Sequence, residues 1–291
     1  MSLENKVIIT VALTGDLTPK AKFPAVPVTP LEIAEDAARC RDAGASVVHI
    51  HVRDETDRSC SDMNQLRQVV PMVRERTDAI VNISTAGSVT TGSAITEEAY
   101  DSRIAPVIEL KPDMCSFDAG AFNWMSKAPF TFQNTPRFCE KLSKACLEAD
   151  CKPEFEIFDP GMFGVVKWYV DAGLIKEPCH FQYILGVPGG LPAIPRSVLQ
   201  LDEYRKEMFP NSTWSSNGIS RGNLPCIYTA LAMGGGVRVG LEDTSYYAKG
   251  VPATNVMLVE RAARLVRELG KEPATPDEAR EILSMKQIKK A

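Results

Sequence analysis

Residues 29–54 read "TPLEIAEDAARCRDAGASVVHIHVRD". This stretch holds a helix and a strand in direct succession. Thr29 stands where an N-cap belongs, Pro30 takes the first helical position, and Glu32 completes a capping box. Gly44 marks the helix end. The run 46–54 that follows is apolar except for two histidines, in a chain with only three. Strand side chains alternate between faces, so Val47, His49, His51 and Arg53 share one face and Val48, Ile50 and Val52 the other. An all-apolar second face is what a strand presents to covering helices in a parallel sheet.

Seven further runs have the same character: 7–15, 79–87, 114–120, 153–159, 180–187, 212–219 and 236–243. Helical patterns separate them at 61–77, 95–110, 134–150, 161–173, 195–209 and 222–235, and another follows at 253–270. Pro71 and Pro106 are expected to kink or break their helices. About eight βα units in sequence predict a (β/α)8 TIM barrel, one catalytic domain over residues 1–291, with a short extra C-terminal helix at "TPDEAREIL" and a basic, frayed tail. A doubly wound open sheet is the competing fold. It is disfavoured because "ALTGDLTPK", after the first strand, lacks the dinucleotide-binding GxGxxG loop.

Hydrophobic residues make up 44% and charged residues 24% of the chain, as in an ordinary globular protein. The net charge of −4 argues against nucleic acid or an anionic membrane surface as partner. The N-terminal "MSLENKVIITVALTGD" has no signal-peptide pattern, and no run reaches the ~20 apolar residues that span a bilayer. The eight cysteines form no CxxC pair, so reduced thiols and a cytoplasmic location are expected. Cys146 and Cys151 read as small apolar fillers at a helix end.

His49 and His51 face the barrel interior near the C-terminal end of their strand, where barrel active sites are built. Two imidazoles on one strand face suit one metal ion, with zinc the default for imidazole and carboxylate ligands. His180 begins its strand and so belongs at the opposite end. The third ligand is sought at the end of the eighth strand, in "GGGVRVGLED". Strands two and eight flank strand one, so Glu242 or Asp243 can complete the site and the other carboxylate stays free as a base. Arg238, between Val237 and Val239, needs an anionic partner if buried.

Other strand ends offer Ser84 and Thr85, Ser116, Asp118 and Asn123, and Glu154 and Glu156. The glycine-rich loops "LGVPGGLPA" (185–193, with Gly186, Gly189 and Gly190) and "SSNGISRGN" (215–223) each run into a helix. They are candidate phosphate cradles, with Arg221 as reinforcement.

Taken together, "TPLEIAEDAARCRDAGASVVHIHVRD", "PEFEIFD", "LGVPGGLPA", "GGGVRVGLEDTSYYAKG" and "ATPDEAREIL" resemble the β-keto acid cleavage enzymes along nearly the whole chain. The resemblance implies a (β/α)8 barrel, a homotetramer, one zinc ion, and acetyl-CoA as co-substrate. The implied reaction turns a β-keto acid and acetyl-CoA into acetoacetate and a shorter acyl-CoA. His49, His51 and Glu242 would hold the zinc. Asp243, oriented by Arg238, would take a C2 proton, with Ser84 or Thr85 and a glutamate of "PEFEIFD" completing the pocket. In "LTGDLTP", whichever of Asp16 and Leu17 faces the pocket would set the preference for a cationic or a neutral substrate.

Overall fold

In the computed structural model, residues 2–16 and 18–287 are described. Eight parallel strands close into a barrel in sequence order: β1 (Ile9–Ala12), β2 (Val47–Ile50), β3 (Ile80–Ile83), β4 (Met114–Asp118), β5 (Lys152–Ile157), β6 (His180–Leu185), β7 (Thr213–Gly218) and β8 (Gly236–Val239). β8 pairs with β1 through Arg238 opposite Thr10, and β1 pairs with β2 through Ala12 opposite His49. The (β/α)8 expectation holds. Every helix expected from the sequence is present within a few residues: α1 (Pro30–Ala43), α2 (Met63–Arg76), α3 (Glu97–Leu110), α4 (Pro136–Ala149), α5 (Gly161–Asp171), α6 (Pro195–Met208), α7 (Asn223–Ala232), α8 (Asn255–Glu268) and α9 (Pro276–Ile282). Thr29 and Glu32 form the reciprocal capping box, and Gly44 closes α1 in the left-handed region.

Two apolar layers follow from strand alternation. The outward set (Val48, Ile50, Phe117, Phe155 and Phe181) packs under the helices, where Phe163 of α5 and Phe209 meet Phe181 with ring centroids 5.0 and 4.9 Å away. Inside the ring, Ile8, Val47, Ile80 and Met114 form a plug at the N-terminal end, and Ala279 of α9 and the neighbouring Leu283 cover it. That end of the barrel interior is plugged by apolar side chains, and the interior opens at the C-terminal mouth.

The structure corrects several local expectations. Pro71 and Pro106 lie inside α2 and α3 without ending them. The first strand is split: Lys6–Val7 leaves the ring to pair with Glu272–Pro273. The second strand leaves the ring after Ile50, and Val52–Arg53 forms a small hairpin with Ser59–Cys60. The cause is visible at Arg53, whose guanidinium is drawn into the first loop. It donates to the carbonyl oxygens of Gly15, Thr18 and Thr14 at 2.7, 3.0 and 2.6 Å, and to Asp57 at 2.8 Å. A hairpin not expected from sequence, Ala121–Trp124 with Phe130–Gln133, folds beside the mouth after β4. The last four residues of the basic tail lie outside the described residues.

Arg53 satisfies three buried carbonyls at once. Arg53→Met is therefore expected to cost about 3 kcal/mol of stability. Urea unfolding checks this, and an unchanged midpoint would mean the loop is held by other contacts.

Candidate active site and metal centre

A cavity of about 690 Å³ opens at the C-terminal end of the barrel. It is lined by His49 of β2 and by His51, just past the end of that strand. Nε2 of His51 lies 3.5 Å, and Nε2 of His49 3.7 Å, from the same Oε2 of Glu242. Glu242 follows β8 in a tight turn at Gly240, whose φ is +142°. A Cβ at Gly240 would sit 2.0 Å from the Ala12 carbonyl oxygen, so only glycine lets the chain cross β1 there. Gly15, at φ +56°, makes room from the other side: a Cβ would fall 2.3 Å from Cγ of Glu242. Gly15→Ala is expected to displace Glu242, lowering metal occupancy and costing about 1–3 kcal/mol. Metal analysis and thermal unfolding of that variant test this, and full occupancy would contradict it.

These three side chains fit a zinc ion. Glu242 Oε2 is buried without a hydrogen-bond partner, and His51 Nε2 is left to the site because its Nδ1 pairs with Ser59 Oγ at 2.9 Å. Burial holds His49 neutral, pushed down to about 3, so its contact with Glu242 is not an ion pair at neutral pH. Neutral imidazoles and an ionised carboxylate are the protonation states a metal requires. Ligand distances of ~2.0–2.2 Å in a tetrahedron separate donors by roughly 3.4 Å. The observed separations are close to that.

Beside the donors, Arg238 is almost fully buried and gathers three carboxylates. It grips Asp243 with two contacts of 3.0 and 3.1 Å, reaches Glu156 Oε1 at 2.9 Å, and donates to Glu242 Oε1. Burial works against ionisation of Glu242, yet Arg238 and both histidines outweigh it and hold that carboxyl well below its usual range. Asp243 moves the other way: burial raises it although Arg238 pulls it down. Two adjacent carboxylates thus become different groups, Glu242 biased toward its anionic form and Asp243 with its proton affinity raised. Burial also raises Asp118 and Glu156, which lie together on the cavity wall.

The other candidate residues divide. Ser84 lines the cavity. Thr85 does not: it is fully buried, and its hydroxyl donates to the Ser116 carbonyl at 2.8 Å. Glu154 and Glu156 share the inner face of β5, yet only Glu156 reaches the cavity. Glu154 sits deeper, accepting from Asn82 Nδ2 at 2.7 Å with His180 Nε2 at 3.6 Å. His180 is at the strand start, away from the histidine pair, with Nδ1 2.8 Å from Thr213 Oγ1.

The glycines of the two rim loops pack against protein. A Cβ on Gly189 would lie 1.8 Å from the Asn123 carbonyl oxygen, one on Gly186 2.9 Å from Ala193, and one on Gly190 3.2 Å from the Phe158 carbonyl oxygen. Arg221 is exposed in a turn beside Ile219, which lines the mouth. Asp16 lines the cavity and accepts from the Ser59 amide at 2.7 Å, while Leu17 lies outside the described residues. The sequence reading missed an aromatic wall: Phe122 stacks on Phe158 at 4.0 Å and on Phe132 at 5.4 Å, and Trp124 stacks on Phe130. Its signal was the aromatic alternation of "AFNWMSKAPFTFQ".

Comparison with known proteins agrees with the barrel fold. The family model for beta-keto acid cleavage enzymes matches residues 6–285. The 3-keto-5-aminohexanoate cleavage enzyme of Fusobacterium nucleatum is 40% identical, covering 97% of this chain and 98% of its own. A 3-dehydrocarnitine:acetyl-CoA trimethylamine transferase of Rhizobium meliloti is 33% identical, covering 98% of each chain. Among solved structures, a ternary complex of ObcA with a C4-CoA adduct and oxalate superposes with TM-score 0.79 at 22% identity. It covers 90% of this chain and 68% of ObcA, a likeness of fold. With the family pattern running along almost its whole length, this chain belongs to the β-keto acid cleavage enzyme family.

Proposed function

We propose that this protein is a zinc-dependent enzyme that exchanges acyl groups between a β-keto acid and acetyl-CoA. The C2–C3 bond of the keto acid breaks. Its carboxylate-bearing two-carbon end joins the acetyl group as acetoacetate, and the remaining acyl group becomes the new CoA thioester. One observation carries the reading: His49, His51 and Glu242 converge on one point while Asp243, beside them, is held off that point by Arg238. When bound there, zinc would polarise the keto and carboxylate oxygens of the substrate and stabilise developing enolate charge.

The chain's own residues do the rest. Asp243 takes the C2 proton, its affinity raised by burial. Arg238 orients that carboxylate through two N–H groups and keeps Glu242 anionic. Ser84 offers a hydroxyl to the substrate's oxygens. Phe122, Phe132 and Phe158 exclude water from one side of the cavity, which strengthens the electrostatic contacts inside. Acetyl-CoA approaches over the rim loops at 186–190 and 219–222, where Arg221 offers an exposed cation to its phosphates.

The test is a panel of β-keto acids with acetyl-CoA, followed by mass detection of acetoacetate and the new acyl-CoA, alongside metal analysis. Turnover without CoA would favour a metal hydrolase or aldolase instead. Metal-replete protein that forms no acetoacetate from any member of the panel would sink the proposal.

A further inference from the structure

Another convergent donor set lies outside the barrel mouth. Cys115 of β4, Cys146 of α4 and Cys151, just before β5, place three sulfur atoms within 4.8 Å of one another. The fold explains the meeting. Cys115 belongs to the outward-facing set of β4 with Phe117, so it points at the covering helix. Cys146 lies on the buried face of α4, one turn after Leu142, and the turn at Asp150 brings Cys151 back beneath it. Cys115 Sγ and Cys146 Sγ are 3.5 Å apart, and all three residues are at most 4% exposed.

Packing as small apolar fillers accounts for the burial of these thiols, and a soft metal ion would in addition account for the convergence of all three sulfurs. Thiolate sulfur binds such an ion at ~2.3 Å, which puts three sulfurs in a trigonal plane roughly 4 Å apart. There is also a way in. Cys146 and Cys151 line a separate cavity of about 420 Å³, together with Lys152 and Lys176, and it is bordered by the chain after α9 at the plugged end of the barrel.

We propose that Cys115, Cys146 and Cys151 form a three-thiolate site for a soft, thiophilic cation such as Cu(I) or Cd(II). Each thiol passes its proton to water as its sulfur bonds the ion, and no electron is transferred. The site would tie β4, α4 and the start of β5 together. It is chemically distinct from the nitrogen and oxygen donors at the mouth, and it stands whether or not the proposed cleavage reaction does.

Cadmium is the practical probe, because only thiolate ligation gives a sulfur-to-cadmium charge-transfer band. Titration of the full chain should produce that band, saturating at one ion per chain. Cys146→Ala should abolish it and weaken binding beyond the ~10–100-fold that outer partners of a metal site are worth. Cleavage activity and circular dichroism should be unchanged. Cys151→Ala, nearer the cavity, should act alike and decides the matter if Cys146→Ala does not fold. Absence of the band in the native chain, or an equal band in both variants, overturns the proposal.

Discussion

His49→Ala should leave a folded barrel that no longer holds zinc and no longer turns over. His49 is buried beside Glu242, with the alternative donor His51 two residues on. Removing it leaves one imidazole and one carboxylate, below the three protein ligands usual for catalytic zinc. If the ion supplies most of the charge stabilisation, kcat/KM should fall about ten-thousandfold, or roughly 5.5 kcal/mol of transition-state stabilisation. The check is metal content by elemental analysis together with kinetics on the same sample. Near-stoichiometric zinc with retained turnover would show that the donors had been wrongly assigned.

Asp243→Asn should separate the base from the metal. The side chain keeps its shape, and Arg238 still meets Glu156 and Glu242. Zinc content should stay near one per chain. The proton acceptor is gone, so kcat should fall about a thousandfold while KM changes little. The contrast between the variants is the informative result: one loses metal and rate together, the other rate alone. An Asp243→Asn enzyme of normal kcat would reduce Asp243 to a counterion for Arg238.

The barrel was legible because buried parallel strands under amphipathic helices leave two clear periodicities, and caps such as Thr29 and Thr275 mark the boundaries. Alternation and strand order brought His49 and His51 together with the Glu242–Asp243 pair, and the family resemblance singled out Glu242, which the structure places against both imidazoles. Depth along the barrel was not legible. Alternation puts Glu154 and Glu156 on one face, and what separates them is Asn82 and His180, contributed by β3 and β6. The rim glycines were equally opaque: what forces Gly189 is the carbonyl of Asn123, on a hairpin whose aromatic alternation marks two strands but not what they pack against. Arg53 was assigned to the inward face, but its carbonyl partners lie in the first loop, far back along the chain.

The ring closes where β8 meets β1, and this seam has a consequence for assembly in time. Across it, Thr18 bonds to the Leu241 carbonyl over a separation of 223 residues, and Glu242 can face β2 only once the seam has formed. Contacts between such distant chain positions form late, since the loop-closure entropy must be met first. Until then the pair of imidazoles lacks the carboxylate that touches both of them, so the donor set proposed for zinc is complete only with the last topological event in the birth of the molecule.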